Sequence, residues 1–143
     1  MSETFVATSE TLIDAPVERV WSVITDAEAT KEFMFGTDVD TDWVVGNPIV
    51  WRGTWEGKDY EDRGEILEFD PDHRLVTTHF SPLTSQPDVP ENYHTLTWTV
   101  KKHNEGSHLT LTQDNNASAE EAEHSESMWN NVVADVKKIA ERD

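Results

Sequence analysis

The sequence predicts an α+β domain in which an antiparallel sheet wraps around a long C-terminal helix. Three observations support this fold class: a strand and two short helices near the N-terminus, strands and turns from residue 40 to 113, and an amphipathic helix at the C-terminal end. At 143 residues the chain has the usual size of one domain. We therefore expect residues 1–143 to form a single domain.

The N-terminal part predicts one strand and two helices. Residues 4–13 carry apolar and β-branched side chains with a two-residue alternation, which is typical of a strand. Asp14 is expected to cap a helix over residues 15–25, with Pro16 in its first turn. The apolar positions of that helix recur at helical spacing: Val17, Val20, Trp21 and Ile24. Asp26 is expected to cap a second helix, from about Ala27 to Phe33.

The middle of the chain predicts strands joined by turns. Turn residues separate the apolar runs at Gly46-Asn47-Pro48, Asp70-Pro71-Asp72-His73 and Asn104-Glu105-Gly106, and Glu56-Gly57-Lys58 predicts a tight hairpin. A loop with three prolines follows Phe80. Val44-Val45 leads into the first turn, and the predicted strands after it cover 49–55, 59–69, 75–80, 93–103 and 107–113. In the last two, apolar and polar residues alternate as in half-buried antiparallel strands.

The C-terminal helix has the clearest signals. Ser118 and Glu121 form a capping box, and an apolar stripe follows at helical spacing: Met128, Trp129, Val132, Val133, Val136, Ile139 and Ala140. The apolar face of the sheet is the large partner available for that stripe. The predicted order is β-α-α-β6-α, a helix-grip fold.

Three sequence segments stand out: residues 13–21 (IDAPVERVW), residues 64–71 (GEILEFDP) with Arg74-Leu75, and residues 109–113 (LTLTQ). Together they resemble the activator of Hsp90 ATPase homologue 1-like bacterial branch of the START/Bet v 1-like (SRPBCC) superfamily. The resemblance covers nearly the whole chain. It implies a curved sheet of about seven strands around the last helix, with a cavity between them. Relatives include small-molecule carriers, polyketide cyclases, lipid binders and co-chaperones, so the resemblance does not fix the function.

Composition narrows the function classes. The net charge is −18, from 29 acidic and 11 basic residues, which disfavours binding to nucleic acid or to an anionic membrane surface. The chain has no cysteine, the first ten residues lack the features of a signal peptide, and no apolar run reaches the roughly 20 residues of a membrane span. We therefore expect a cytoplasmic protein without a cofactor.

Four tryptophans predict either an ordinary core or the walls of a small-molecule pocket. Trp51 and Trp55 share one face of a strand, Trp98 lies on the apolar face of another, and Trp129 lies on the last helix. Aromatic side chains dominate ordinary cores, and they also line most ligand pockets. Both interpretations hold together when a pocket wall is part of the core.

The length of the first hairpin loop decides whether Asp62 lies inside. With a two-residue loop, Tyr60 and Asp62 face the same side as Trp51, and Arg52 lies opposite Glu61 on the outer face. Asp62 would then be a carboxylate in an apolar cavity, where it could act as a general acid or base. A three-residue loop reverses the faces and leaves Asp62 in solvent.

Histidines supply the other candidate groups. His79 and His94 share the apolar-side parity of their strands, so each is either a ligand contact or base, or a structural residue. His103 and His108 flank the last hairpin turn and are expected to pair across it on the exposed face. Two imidazoles alone do not make a zinc site, so no metal site is predicted.

The leading hypothesis is a domain that binds a small hydrophobic or aromatic molecule between the sheet and the last helix. Its predicted ligand-binding residues are Trp51, Trp55, Tyr60, Asp62, His79, Trp98 and Trp129. The alternatives are a polyketide cyclase- or hydrolase-like enzyme that uses Asp62, His79 or His94 in the same pocket, and an interaction partner of an Hsp90-type chaperone. No recognisable catalytic motif decides between them.

Overall fold

The computed structural model describes residues 5–34, 36–81, 87–116 and 118–142. The elements follow the predicted order: β1 (Phe5–Ile13), α1 (Val17–Ile24), α2 (Ala27–Phe33), β2 (Asp38–Asp40), β3 (Pro48–Trp55), β4 (Lys58–Asp70), β5 (Arg74–His79), a 3-10 turn (Pro90–Asn92), β6 (His94–His103), β7 (Gly106–Asn116) and α3 (Ala119–Ala140). None of the described helices is long and apolar enough to cross a membrane.

The strands form one antiparallel sheet in the order β1-β7-β6-β5-β4-β3-β2. From β2 to β7, each strand pairs with the next strand in sequence. β1 pairs with β7 and forms one edge of the sheet. The long C-terminal helix α3 lies against this curved sheet, so the α+β helix-grip prediction is confirmed.

The core lies between the inner face of the sheet and the three helices. The predicted stripe of α3 contributes six buried side chains to this core: Trp129, Val132, Val133, Val136, Ile139 and Ala140. The sheet contributes alternate residues of its inner face, among them Ile49, Ile66, Leu96, Leu109 and Leu111. Each such side chain stabilises the fold by about 1.5–3 kcal/mol relative to an exposed position.

Two helix caps are confirmed and one is wrong. The Ser118 hydroxyl accepts from the Glu121 amide, and the Asp26 carboxylate accepts from the amide of Ala29. The predicted Asp14 cap does not form, because α1 begins at Val17 with Pro16 at its N-cap. The amide of Asp14 instead donates to the Glu141 carboxylate at 2.8 Å.

Two further expectations need correction. Met128 does not belong to the buried stripe of α3, since its position on the helix leaves it 39% exposed. His103 and His108 do not pair, because the last hairpin sets His103 opposite Gly106 and His108 opposite Lys101. The ring of His108 instead contacts the Glu10 carboxylate at 3.3 Å, across the β1–β7 pair.

The free edge of β1 is covered by side chains of α3. The Thr8 amide donates to Glu126, and Lys137 donates to the Leu12 carbonyl at 2.9 Å. The Ser9 hydroxyl also donates to Asn130, at 2.5 Å. An uncovered edge is a template for pairing with another chain, so these contacts protect the sheet where it would otherwise be open.

Candidate functional site

The first hairpin decides which residues face the interior. Glu56 and Gly57 form a two-residue loop, with φ of 49° and 81°, and Trp55 pairs with Lys58. Positive φ at both central positions is typical of the type I′ turn that favours tight hairpins. Trp51 therefore lies opposite Asp62, and both side chains lie on the inner side of the sheet. The two-residue alternative is the one that the structure adopts.

Arg52 and Glu61 lie on the outer face of the same strands. The Arg52 guanidinium donates to Glu61 at 2.8 Å and to Asp40 at 3.2 Å. These two hydrogen bonds raise the pKa of Arg52 above its ordinary value. The outer pair is exposed, so it provides a natural comparison for the neighbouring inner residues.

Asp62 and His79 form a shielded pair on the inner face. The Asp62 Oδ2 to His79 Nε2 distance is 3.0 Å, and the two side chains are only 14% and 16% exposed. A glycine brings their strands together: a Cβ on Gly64 would lie 1.8 Å from the carbonyl oxygen of Thr78. Any larger residue at position 64 would push β4 away from β5 and separate the pair.

Trp51 on β3 and His94 on β6 both contact His79, so the four side chains lie on four neighbouring strands. The Trp51 ring meets the His79 ring edge to face, with centroids 5.0 Å apart. On the other side His79 lies opposite His94, and their rings stack at 6.4 Å. The Nδ1 of His94 lies 2.8 Å from the Asp114 carbonyl oxygen on β7. We call Asp62, His79 and His94 the polar row.

Three buried polar atoms near this row lack a hydrogen-bond partner within the described part of the chain. They are Asp62 Oδ1, His79 Nδ1 and Thr77 Oγ1. Nearly all buried polar groups in folded proteins have partners, and leaving one without costs about 1–3 kcal/mol. These atoms need a partner from outside the described chain, which an ordered water or a ligand can supply.

A small cavity lies on the other side of Trp51 and Thr77, and Asp62, His79 and His94 are not among its lining residues. Its volume is about 20 Å³, and its walls include Trp51, Thr77, Trp98 and Trp129. That volume holds about one water molecule. The three tryptophans thus line a common space, but a larger ligand enters only if wall side chains move.

The remaining candidates have different surroundings. Tyr60 lies across Gly53, and its hydroxyl is 2.6 Å from that of Thr37. No contact with Asp62 or His79 is recorded for Tyr60 among the described residues. The Trp55 side chain lies outside the described residues.

Gln113 is an inner-face residue that the sequence analysis did not single out. Its Oε1 accepts from the Trp129 indole N–H at 2.6 Å, and its Nε2 donates to Asn116 at 3.0 Å. The shared parity of Gln113 with Leu109 and Leu111 was the available signal. Through this contact, Gln113 holds a wall tryptophan of the cavity in place.

A larger open groove of about 680 Å³ lies elsewhere, between the ends of β1 and β7 and the side chain of Lys137. Its walls are formed mostly by the ends of β1, β6 and β7 and the turn at Asn104 and Glu105, and none of the unpartnered buried atoms belongs to it. We therefore place the candidate site at the polar row and not at the groove. Among the described residues, no group of three or more His, Asp or Glu side chains is placed to hold a metal ion.

Comparison with known proteins gives a family match and many structural matches. The family model described as "Activator of Hsp90 ATPase homolog 1-like protein" matches residues 14–141. A Cytophaga hutchinsonii protein, ChR145, with a known solution structure is 47% identical, with 99% of this chain and 97% of that chain covered and a TM-score of 0.86. No curated protein matches the sequence.

More distant structures share the fold. A crystallised Chromobacterium violaceum protein, CV1439, is 20% identical, covering 96% of this chain and 98% of that one, with a TM-score of 0.82. The Aha1 dimer from Colwellia psychrerythraea is 16% identical, covering 95% and 96%, with a TM-score of 0.72.

Proposed function

Because the chain belongs to the activator of Hsp90 ATPase homolog 1-like family, whose fold is that of ligand-binding domains, we propose that it binds a small molecule at the polar row. The carrying observation is the Asp62–His79 pair, in which each side chain keeps one buried atom without a partner among the described residues. A ligand that forms hydrogen bonds with those two atoms would remove the free-energy cost of leaving them unpaired. Trp51 and Trp98 would contact its apolar part.

The proposed ligand is larger than the present cavity of about 20 Å³. Most pockets for small molecules measure roughly 300–1,000 Å³. Binding therefore requires wall side chains to move, and Trp51 is the wall residue in contact with His79. A change in the fluorescence or indole NMR signal of Trp51 should accompany binding.

A thermal-shift screen against small hydrophobic and aromatic metabolites tests the proposal. A ligand at a hundredfold excess over its dissociation constant adds about 2.7 kcal/mol of stability, or a rise of about 5–10 °C in Tm for a chain of this size. The shift should be lost in Asp62→Asn and His79→Gln and kept in Glu61→Gln, which changes the outer face of the same strand.

A blank screen with the folded protein, or a shift that Asp62→Asn leaves intact, would refute binding at this pair. The next experiment would then be a pull-down with an Hsp90-type chaperone, because the family name points to that class of partner.

The same pair supports a second candidate, an enzyme that uses acid–base chemistry. A carboxylate that orients an imidazole is a recurring arrangement for general bases, and Asp62 Oδ2 lies at hydrogen-bond distance from His79 Nε2. Incubating each screened ligand with the protein and following it by mass spectrometry separates the candidates. Conversion that Asp62→Asn abolishes supports the enzyme, and an unchanged ligand supports a binding protein.

A further inference from the structure

With Asp62 ionised and His79 neutral, the unpartnered atoms of the pair are both hydrogen-bond acceptors. A carboxylate can only accept, so the 3.0 Å contact requires His79 Nε2 to donate to Asp62. In the neutral imidazole the other nitrogen, Nδ1, then carries a lone pair. Asp62 Oδ1 and His79 Nδ1, both buried and unpartnered among the described residues, can thus each accept a hydrogen bond from a donor of a ligand or of a water molecule.

His94 adds a third acceptor to the row. Its Nδ1 lies 2.8 Å from a backbone carbonyl oxygen, that of Asp114, which can only accept. Nδ1 therefore carries the proton, and the lone pair of the neutral ring lies on Nε2. No hydrogen bond to this Nε2 is recorded within the described residues.

Two donors of this part of the fold, the hydroxyl of Tyr60 and the indole N–H of Trp129, are already engaged, whereas the hydroxyl of Thr77 is not. The Thr37 hydroxyl donates to the Met34 carbonyl at 2.6 Å, so the hydroxyl of Tyr60 is the donor in their mutual contact. The indole N–H of Trp129 donates to Gln113. These groups stabilise the fold and leave the acceptors of the polar row unmatched.

The charges around Asp62 disfavour an anionic ligand. His79 is the partner recorded for the Asp62 carboxylate among the described residues, and the nearest arginine in sequence, Arg63, pairs with Asp88 instead. The chain as a whole carries −18. An anionic ligand would meet a carboxylate with no lysine or arginine against it, in a shielded place where repulsion is strong.

We infer that the ligand is an aromatic molecule without negative charge that carries at least one O–H or N–H donor. This inference rests on the proposed binding site and adds the chemical class. The aromatic part follows from the Trp51 and His79 rings, which meet edge to face beside the acceptors and favour a flat ring as a neighbour. The donor requirement follows from the three acceptors of the polar row.

Three naphthalenes with one scaffold test the class at neutral pH: 2-naphthol, its methyl ether, and 2-naphthoate. The readout is the set of tryptophan indole N–H signals of the ¹⁵N-labelled protein during titration. We expect 2-naphthol to bind about tenfold or more tighter than the ether, because the ether leaves the acceptors unpaired. The carboxylate should bind most weakly. Asp62→Asn should reduce about tenfold both the affinity ratio of naphthol to ether and the affinity ratio of naphthol to naphthoate. Glu61→Gln should leave both ratios unchanged.

The outcomes separate this inference from the proposed function. Equal binding of naphthol and ether, tighter binding of naphthoate, or no binding of naphthol overturns the donor class. The binding site itself is judged by the thermal-shift screen and its Asp62→Asn control. Screened ligands that carry a carboxylate or lack any donor would equally overturn the class while leaving the site intact.

Discussion

Replacing Thr77 with valine should stabilise the protein, which is the reverse of the usual result in a core. Thr77 is 2% exposed, and its hydroxyl has no hydrogen-bond partner among the described residues. It lines the small cavity with one other hydroxyl residue, Thr30, whose side chain donates to the Asp26 carbonyl. A water needs two to four polar partners, so we expect this cavity to be dry and the hydroxyl of Thr77 to be unsatisfied.

The expected gain is about 1 kcal/mol. An unsatisfied buried hydroxyl costs about 1–3 kcal/mol, and we take the lower end because Thr77 borders a cavity. Valine has nearly the same shape and suits a strand. A gain of about 1 kcal/mol raises the ratio of folded to unfolded protein about fivefold and Tm by about 2–4 °C.

Thr37→Val provides the matched control. Thr37 is 3% exposed, but its hydroxyl donates to Met34 and accepts from Tyr60. The same substitution there removes two hydrogen bonds and leaves the Tyr60 hydroxyl without its partner. We expect a loss of about 1–2 kcal/mol.

Urea unfolding followed by tryptophan fluorescence measures both variants against the parent chain. The two valine substitutions should change the free energy of unfolding in opposite directions. A loss of 1 kcal/mol or more in Thr77→Val would refute this expectation, and would mean that the hydroxyl has a partner, such as an ordered water in the cavity. An unchanged slope of the urea transition would show that the difference lies in stability and not in the unfolded state.

Three more outcomes follow from the fold. Gly64→Ala should lower the free energy of unfolding by about 3 kcal/mol in urea, because its Cβ would lie 1.8 Å from the Thr78 carbonyl oxygen; a loss below 1 kcal/mol would contradict the close strand approach. Hydrogen bonds from the Asp14 amide and from a lysine lower the pKa of Glu141, so its carboxylate stabilises the fold above the unfolded-state pKa, and that stability is lost as pH falls through the folded-state pKa. Glu141→Gln should therefore cost about 0.5 kcal/mol at pH 7 and nothing in acid, and an equal cost at both pH values in urea unfolding would be the contrary result. Ser118→Ala should cost about 1 kcal/mol by removing the α3 cap; thermal unfolding would show no change if the cap were dispensable.

The sequence left two alternatives for Asp62, which could face either the interior or the solvent. The backbone of the hairpin loop explains why the sequence alone did not decide between them. A two-residue hairpin loop needs positive φ at both positions. Gly57 adopts it freely, but Glu56 reaches a φ of 49° against the ordinary preference of a side-chain-bearing residue. Local propensity therefore did not select the loop. The strands select it, because this register pairs Arg52 with Glu61 outside and buries Trp51 inside.

The contact between Asp62 and His79 was beyond the sequence analysis for a different reason. Alternation along a strand indicates which face a residue occupies, but it does not give the offset between neighbouring strands. The β4–β5 register shifts between Ile66 and Glu68, and such a bulge changes which residues meet. By contrast, the α3 stripe and its Ser118 cap depend on spacing within one helix, and they were predictable except for exposed Met128.

The cover over the free edge of β1 has a consequence for synthesis on the ribosome. β1 emerges before the other elements of this fold, yet its strand partner is β7 and its other edge is closed by Glu126 and Lys137 of α3. At about 5–20 residues per second, roughly 100 residues separate the strand from these partners by about 5–20 seconds. During that interval both edges of β1 are open. The nascent chain thus depends on the late arrival of its last helix, and shortening that helix would extend the period in which two growing chains can pair through β1.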